Sequence, residues 1–226
     1  MDSSGDAILT LKLPNDALVV WVNEIPVTEE MNSPSSTRND VEQASAEDST
    51  EQDMKEEKTA SSDSVTFRVS SRHLILASPV FKAALTGGWK EADASNGELQ
   101  ISAEDWDTKA MTVVLNAIHG HYRRVPTMVT LEMLAKIAII VDYYAVHEAM
   151  QLLGPIWIDH LRKSLPTTAQ SKRDIASWIC ISWVFGDAGI FMHVTQVAIQ
   201  HGDGDMTSLE FPIPSSVIGE IHMANH

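Results

Sequence analysis

The alternation of apolar and polar residues predicts a β-strand at the start of the chain. In residues 7–13, Leu9, Leu11 and Leu13 share one face, and polar residues such as Thr10 fall on the other. This period-two pattern is typical of a half-buried strand. The turn signal Pro-Asn-Asp follows directly.

Two further runs have β character. Residues 17–22 form a β-rich run, and residues 65–69 alternate again, with three apolar side chains expected to face inward: Val65, Phe67 and Val69. We expect the strand at 7–13 to pair with the strand at 65–69. The residues between them would then be a long insertion.

Helix signals dominate the rest of the chain. Ser78 followed by Pro79 suits an N-cap and a first-turn proline, and Gly87-Gly88 ends that helix. After a short strand at 99–101, apolar spacing predicts a series of helices: 108–119, 131–143 capped by Thr130, 146–165, 171–185 and 189–201. The predicted buried face of 146–165 carries Leu153, Ile156, Trp157 and Leu161. Residues 209–214 contain two prolines and are expected to be extended. Strands come early and helices later, so the fold class is α+β.

The segment from Thr28 to Ser64 differs in composition from its surroundings. It is rich in polar and charged residues, and Met31, Val41 and Met54 are its only large apolar residues. Such a segment cannot bury enough surface to offset its ordering entropy, so we predict a disordered acidic insertion at about residues 28–64. Ser and Thr hydroxyls beside acidic residues leave open whether it is a phosphorylated regulatory segment or a solvated linker.

Charge and composition exclude several classes of protein. The 226 residues carry a formal net charge of −15 and a hydrophobic fraction of 44%, which is enough for a core. Twelve acidic and three basic residues between Glu24 and Asp63 give that stretch −9, so −6 remains elsewhere. An acidic chain argues against binding nucleic acid or anionic membranes. We see no signal peptide or membrane span, and we expect an intracellular protein, either cytoplasmic or nuclear.

Candidate chemistry is sparse. Cys180, the single cysteine, lies in an apolar helical context and is expected to be a buried, inert thiol. His119 and His121 flank Gly120 without a signposted third ligand, and the stretch 201–205 lacks most of the oxygens of a calcium loop. We therefore predict no catalytic residue, no cofactor and no metal. The tryptophans are expected to pack in the core, with Trp157, Trp178 and Trp183 on helices and Trp21, Trp89 and Trp106 near strand or loop edges.

The stretch from Phe67 to Phe81 resembles the signature of the BTB/POZ domain. That signature is a strand followed by a His, an apolar residue, Leu-Ala, a Ser and a Phe. These roles fall here on five residues: His73, Leu76, Ala77, Ser78 and Phe81. Leu134, Ala138 and Tyr143 match a later apolar and tyrosine pattern. Segments around Trp89, Trp106 and His119 are similar to a large group of fungal BTB-domain proteins.

The resemblance implies a BTB/POZ-like domain over residues 5–150, with a small mixed sheet flanked by helices. A C-terminal helical extension would cover residues 151–226. The family is not enzymatic; its members form homodimers or hetero-oligomers, bridge substrates to cullin ubiquitin ligases, or recruit corepressors. No strand-swapped dimer is expected here, since the chain begins too close to the opening strand, but a dimer formed through a helix face stays open. The loop 121–129 has no Glu for the cullin-binding motif.

We therefore expect a non-catalytic protein–protein interaction module that forms homo- or hetero-oligomers with BTB proteins. Two alternatives stay open, a substrate adaptor for a cullin ubiquitin ligase and a transcription-linked regulator. An enzyme is the disfavoured fourth option.

Overall fold

A mixed three-stranded sheet opens the fold, with β1 (Ala7–Lys12) in the centre. The computed structural model describes residues 5–14, 64–87, 99–168, 171–201 and 211–224. β1 pairs antiparallel with β2 (Ser64–Val69) and parallel with β3 (Leu99–Glu104). The predicted pairing of the first strand with residues 65–69 is confirmed.

The register fixes which residues share each end of the sheet. Lys12 lies opposite both Ser64 and Glu104, whereas Ala7 lies opposite Val69 and Leu99. The carboxyl end of β3 and the carboxyl end of β2 therefore lie at opposite ends of the sheet. Each of these strand ends leads into a segment that contains a helix.

The strand predictions need three corrections. Leu13 was expected to face inward, but β1 ends at Lys12 and Leu13 is 53% exposed with a φ of 48°. Val65 is half-buried rather than buried, whereas Phe67 and Val69 are buried as expected. The strand predicted at 99–101 continues to Glu104 because Ser102 and Glu104 alternate with buried Ala103.

Helix caps follow the predicted chemistry. The Ser78 hydroxyl accepts a hydrogen bond from the amide of Phe81, and Thr130 accepts one from Met133. Asp107 accepts bonds from the amides of Lys109 and Ala110. Capping side chains satisfy donors that the first turn of a helix leaves unpaired. The described helices are α1 (Ser71–Ala77), α2 (Pro79–Thr86), α3 (Thr108–Ile118), α4 (Leu131–Tyr144), α5 (His147–Met150), α6 (Leu153–Leu161), α7 (Lys172–Phe185), α8 (Ala188–His201) and α9 (Ser215–Ala224), with 3₁₀ turns at Tyr122–Arg124 and Arg162–Ser164.

Two helices were not predicted, and one was predicted too long. α1 and α9 are both absent from the prediction, and 146–165 is divided into α5, α6 and a 3₁₀ turn. Pro155 is the third residue of α6, a first-turn position where its missing N–H costs no hydrogen bond. On the face predicted to be buried, Trp157 is buried but Ile156 is 49% exposed.

α4 is the central helix of the core. It packs against α3 on one side and α7 on another, and α7 in turn packs against α8. Most of its length is buried, as its nearly continuous apolar sequence predicts: Leu134, Ala135, Ile137, Ala138, Ile139, Ile140, Val141 and Tyr144. The architecture is α+β, with helices outnumbering strands in the described part.

Several predictions lie outside the described residues. These are the run at 17–22, most of the acidic insertion, Trp21, Trp89, Gly88, most of the stretch 201–205, and Leu209 and Glu210. The domain boundary at residue 150 stays a prediction.

Candidate functional site

Two of the five signature residues, Ser78 and Phe81, lie in the core beside Tyr144. Besides capping α2, the Ser78 hydroxyl donates a hydrogen bond of 2.5 Å to the carbonyl oxygen of Tyr144. The Phe81 ring stacks on the Tyr144 ring, with centroids 4.2 Å apart. Both signature side chains therefore fix the start of α2 to the end of α4. These roles are structural.

Trp106 completes this cluster from the loop after β3. Its indole N–H donates a bond of 3.2 Å to the hydroxyl of Tyr144. Burial raises the pKa of Tyr144 to about 12. The phenol is therefore neutral near pH 7.

The other three signature residues lie at or near the surface of α1. Leu76, the leucine of the Leu-Ala pair in the signature, is 87% exposed, and Leu74 is the buried leucine of this helix. Ala77 is half-buried and His73 is exposed. Because α1 is helical, residues two positions apart point in different directions, and Leu74 and Leu76 therefore differ in exposure.

An open groove lies beside the Trp106 cluster. Tyr143, expected at the tyrosine position of the family pattern, is 60% exposed, and the buried tyrosine is its neighbour Tyr144. The Tyr143 ring meets Trp106 edge-on, with centroids 5.1 Å apart. The groove has a volume of about 530 Å³ and is lined by residues from β3, the loop after it, α4 and the segment before α9: Ser102, Ala103, Glu104, Asp105, Trp106, Ile139, Asp142, Tyr143, Tyr144 and Pro212. We call it the Tyr143 groove.

Charge in the Tyr143 groove is negative. Glu104 forms an exposed ion pair with Lys12, at 3.3 Å. Asp105 and Asp142 have no cationic partner within the described ranges. Asp105 also has a positive φ of 65°, a conformation that Asp tolerates better than most residues.

His119, one of the two histidines considered as a metal pair, uses both ring nitrogens in contacts with backbone groups. His119 accepts a hydrogen bond at Nε2 from the amide of Ser70, at 2.9 Å, and its Nδ1 lies 2.7 Å from the carbonyl oxygen of Leu115. That carbonyl can only accept, so Nδ1 carries the proton and both ring nitrogens are engaged. In the described part of the chain, no three His, Cys, Asp or Glu side chains are grouped as a metal site.

The single thiol and the described tryptophans complete the candidate residues. Cys180 is fully buried, and desolvation, helped by Asp142, raises the pKa of its thiol well above the usual range. The thiol is therefore unreactive in the native state. Trp106, Trp157 and Trp178 are buried as predicted, whereas the prediction for Trp183 is wrong, because that side chain is 47% exposed and lies against Phe191 of α8.

No protein-family model matches the chain, and no curated protein matches it. None of the described helices has the length and apolarity needed to cross a membrane.

Proposed function

We propose that this chain is a non-catalytic protein–protein interaction module of the BTB/POZ type. The observation that carries the proposal is the Tyr143 groove. An exposed aromatic ring beside a buried one, at the rim of an open concavity, suits anchoring of a partner side chain, because aromatic anchors dominate the binding energy of protein interfaces.

The architecture supports the family assignment in a coarser way. The small mixed sheet and the helices beside it agree with what the sequence resemblance implies. Leu76 adds an exposed apolar side chain on α1. The BTB/POZ assignment rests on the sequence signature.

The test is affinity purification of the full-length protein from its native cells, followed by mass spectrometry. Wild type is compared with Tyr143→Asp and with Met192→Asp, a matched control at an exposed apolar position on α8. We expect specific partner proteins to be retained by the control and reduced at least tenfold by Tyr143→Asp, because a charge at the rim of the groove opposes burial of the interface.

Two results would overturn the proposal. One is an unchanged set of partners in the Tyr143→Asp variant when thermal unfolding shows that it is folded. The other is a reproducible turnover by the purified protein that Asp142→Asn abolishes. A cullin among the lost partners would assign the module to a ubiquitin ligase, whereas copies of this chain or other BTB proteins would assign it to an assembly.

A further inference from the structure

A cluster of basic and imidazole side chains lies at the end of the sheet opposite the Tyr143 groove. His119, at the end of α3, bonds to the amide of Ser70, the residue that follows β2. The His73 ring stacks on the His119 ring, with centroids 5.1 Å apart. The centroid of the His121 ring lies 6.1 Å from that of His119. Three imidazoles therefore form a row from α1 to the segment after α3.

Two arginines lie beside His121, the last imidazole of this row. Residues Gly120–Arg124 line a shallow concavity of about 360 Å³ that contains the guanidinium-bearing residues Arg123 and Arg124 and the exposed ring of Tyr122. We call the row and this concavity together the basic face; it comprises His73, His119, His121, Tyr122, Arg123 and Arg124.

The cations of the basic face have no counterion in the described part of the chain. Neither Arg123 nor Arg124 forms an ion pair there, although acidic residues outnumber basic ones by 31 to 16 in the sequence. His73 and His121 make ring contacts but no hydrogen bond to a described residue. The guanidinium N–H groups of the basic face thus have no acceptor among the residues that the structure describes.

The backbone that presents these donors is held in place. The amide of His121 donates to the carbonyl oxygen of Asn116 at 2.8 Å, and the amide of Arg124 donates to that of His121 at 2.8 Å. Val125 is buried, and the carbonyl oxygen of Pro126 accepts a bond from the indole of Trp157. A preordered backbone lowers the entropy cost of binding.

We propose that the basic face binds an acidic, Asp- and Glu-rich peptide segment of a partner protein. Guanidinium groups bind carboxylates through two parallel hydrogen bonds, and Tyr122 supplies apolar contact area beside them. The negative net charge of the chain opposes such a peptide only weakly, because charges more than about 8 Å away are largely screened at physiological salt. The proposal concerns a surface other than the Tyr143 groove and does not depend on that groove binding a partner.

The test is fluorescence anisotropy with the full-length protein and a labelled peptide of alternating Glu and Gly. We compare wild type with Arg123→Glu/Arg124→Glu and with Lys82→Glu/Lys163→Glu, a control that makes the same change of net charge at exposed positions. We expect the patch variant to bind at least tenfold more weakly and the control to bind within about threefold of wild type. Binding to the wild type should weaken as salt rises from 50 to 300 mM.

Replacement variants and control peptides complete the experiment. If Arg123→Glu/Arg124→Glu does not fold by circular dichroism, Arg123→Gln/Arg124→Gln replaces it, with Lys82→Gln/Lys163→Gln as its control. Equal loss in patch and control variants, or equal affinity for a peptide with Gln in place of Glu, overturns the proposal. So does a phosphoserine peptide that binds more than tenfold tighter than the Glu peptide, since the ligand is then a phosphopeptide. Tyr143→Asp should leave this affinity unchanged, so failure here is separate from failure of the proposed function.

Discussion

At the residue scale, Ser78 shows one side chain performing two structural tasks. Its hydroxyl oxygen accepts a hydrogen bond from the amide of Phe81 in the first turn of α2. The same hydroxyl donates a hydrogen bond to the carbonyl oxygen of Tyr144, the last residue of α4. The cap could be predicted from the sequence, because Ser before Pro is a local signal. The bond to Tyr144 could not, because it joins residues 66 positions apart.

Phe81→Ala should destabilise the protein by about 3–5 kcal/mol. The ring is almost fully buried and stacks on Tyr144, so its loss removes apolar contacts and leaves a cavity. Urea unfolding measures the change. Val80→Ala, one position earlier and partly exposed, is the control and should cost less than half as much. A Phe81→Ala effect no larger than the control would contradict the burial of this ring.

The two adjacent tyrosines show where residue-level reading of the sequence fails. Successive helix positions differ by about 100° around the axis, so Tyr143 and Tyr144 take different environments. Both positions hold the same amino acid, and their sequence neighbours are nearly the same. Tyr144 is the buried one because it packs against Phe81 and Trp106, residues far from it in the sequence. The Tyr143 groove was therefore not predicted.

At the element scale, two helices end in the left-handed conformation but use different residues there. The residue that follows α4, Ala145, has φ 51° and ψ 46°, and the residue that follows α7, Gly186, has φ 71° and ψ 27°. A left-handed conformation costs an L-residue about 1–2 kcal/mol, whereas glycine adopts it readily. The end of α4 is thus a strained helix terminus.

Ala145→Gly should stabilise the protein by about 0.5–1 kcal/mol, the gain being reduced by the greater freedom of glycine in the unfolded state. Gly186→Ala should destabilise by about 1 kcal/mol through strain alone, because a Cβ at Gly186 would meet no atom within 4 Å. Thermal and urea unfolding of both variants test the pair. Two changes of the same sign would refute the role of backbone strain.

The accuracy of the element predictions followed the strength of local signals. Helices with a side-chain cap and a clear apolar pattern, such as α4 and α7, were predicted within one or two residues. α6 has no side-chain cap, so its start was missed. α1 was missed because it is short, and the neighbouring strand and the Ser78 cap drew the assignment away from it.

At the scale of the whole molecule, the sheet brings together residues far apart in sequence. Lys12 and Ser64 are paired neighbours, so the connection between β1 and β2 starts and ends at adjacent points. The α+β class and this pairing could be predicted, because strand periodicity is local and the two runs are similar. The parallel pairing of β1 with β3 was not predicted, since no local signal specifies it.

Deletion of residues 28–62 should raise stability by about 1 kcal/mol, or leave it unchanged. The prediction assumes the disorder expected from the sequence, and the deletion shortens the connection roughly 3-fold, which lowers the entropy cost of closing it. The deleted residues lie outside the described ranges. Thermal unfolding of the two purified proteins tests this. A fall of several degrees would instead show that the segment contributes packing.

Cys180 gives the protein a built-in probe of its own opening. The chain has one thiol, and that thiol is fully buried in α7, against which α4 and α8 pack. A thiol reagent can therefore modify the native protein only when α7 separates from its neighbours, so the labelling rate reports the free energy of that opening. The stability of each variant above can be ranked in this way under native conditions, without denaturant and without an introduced cysteine.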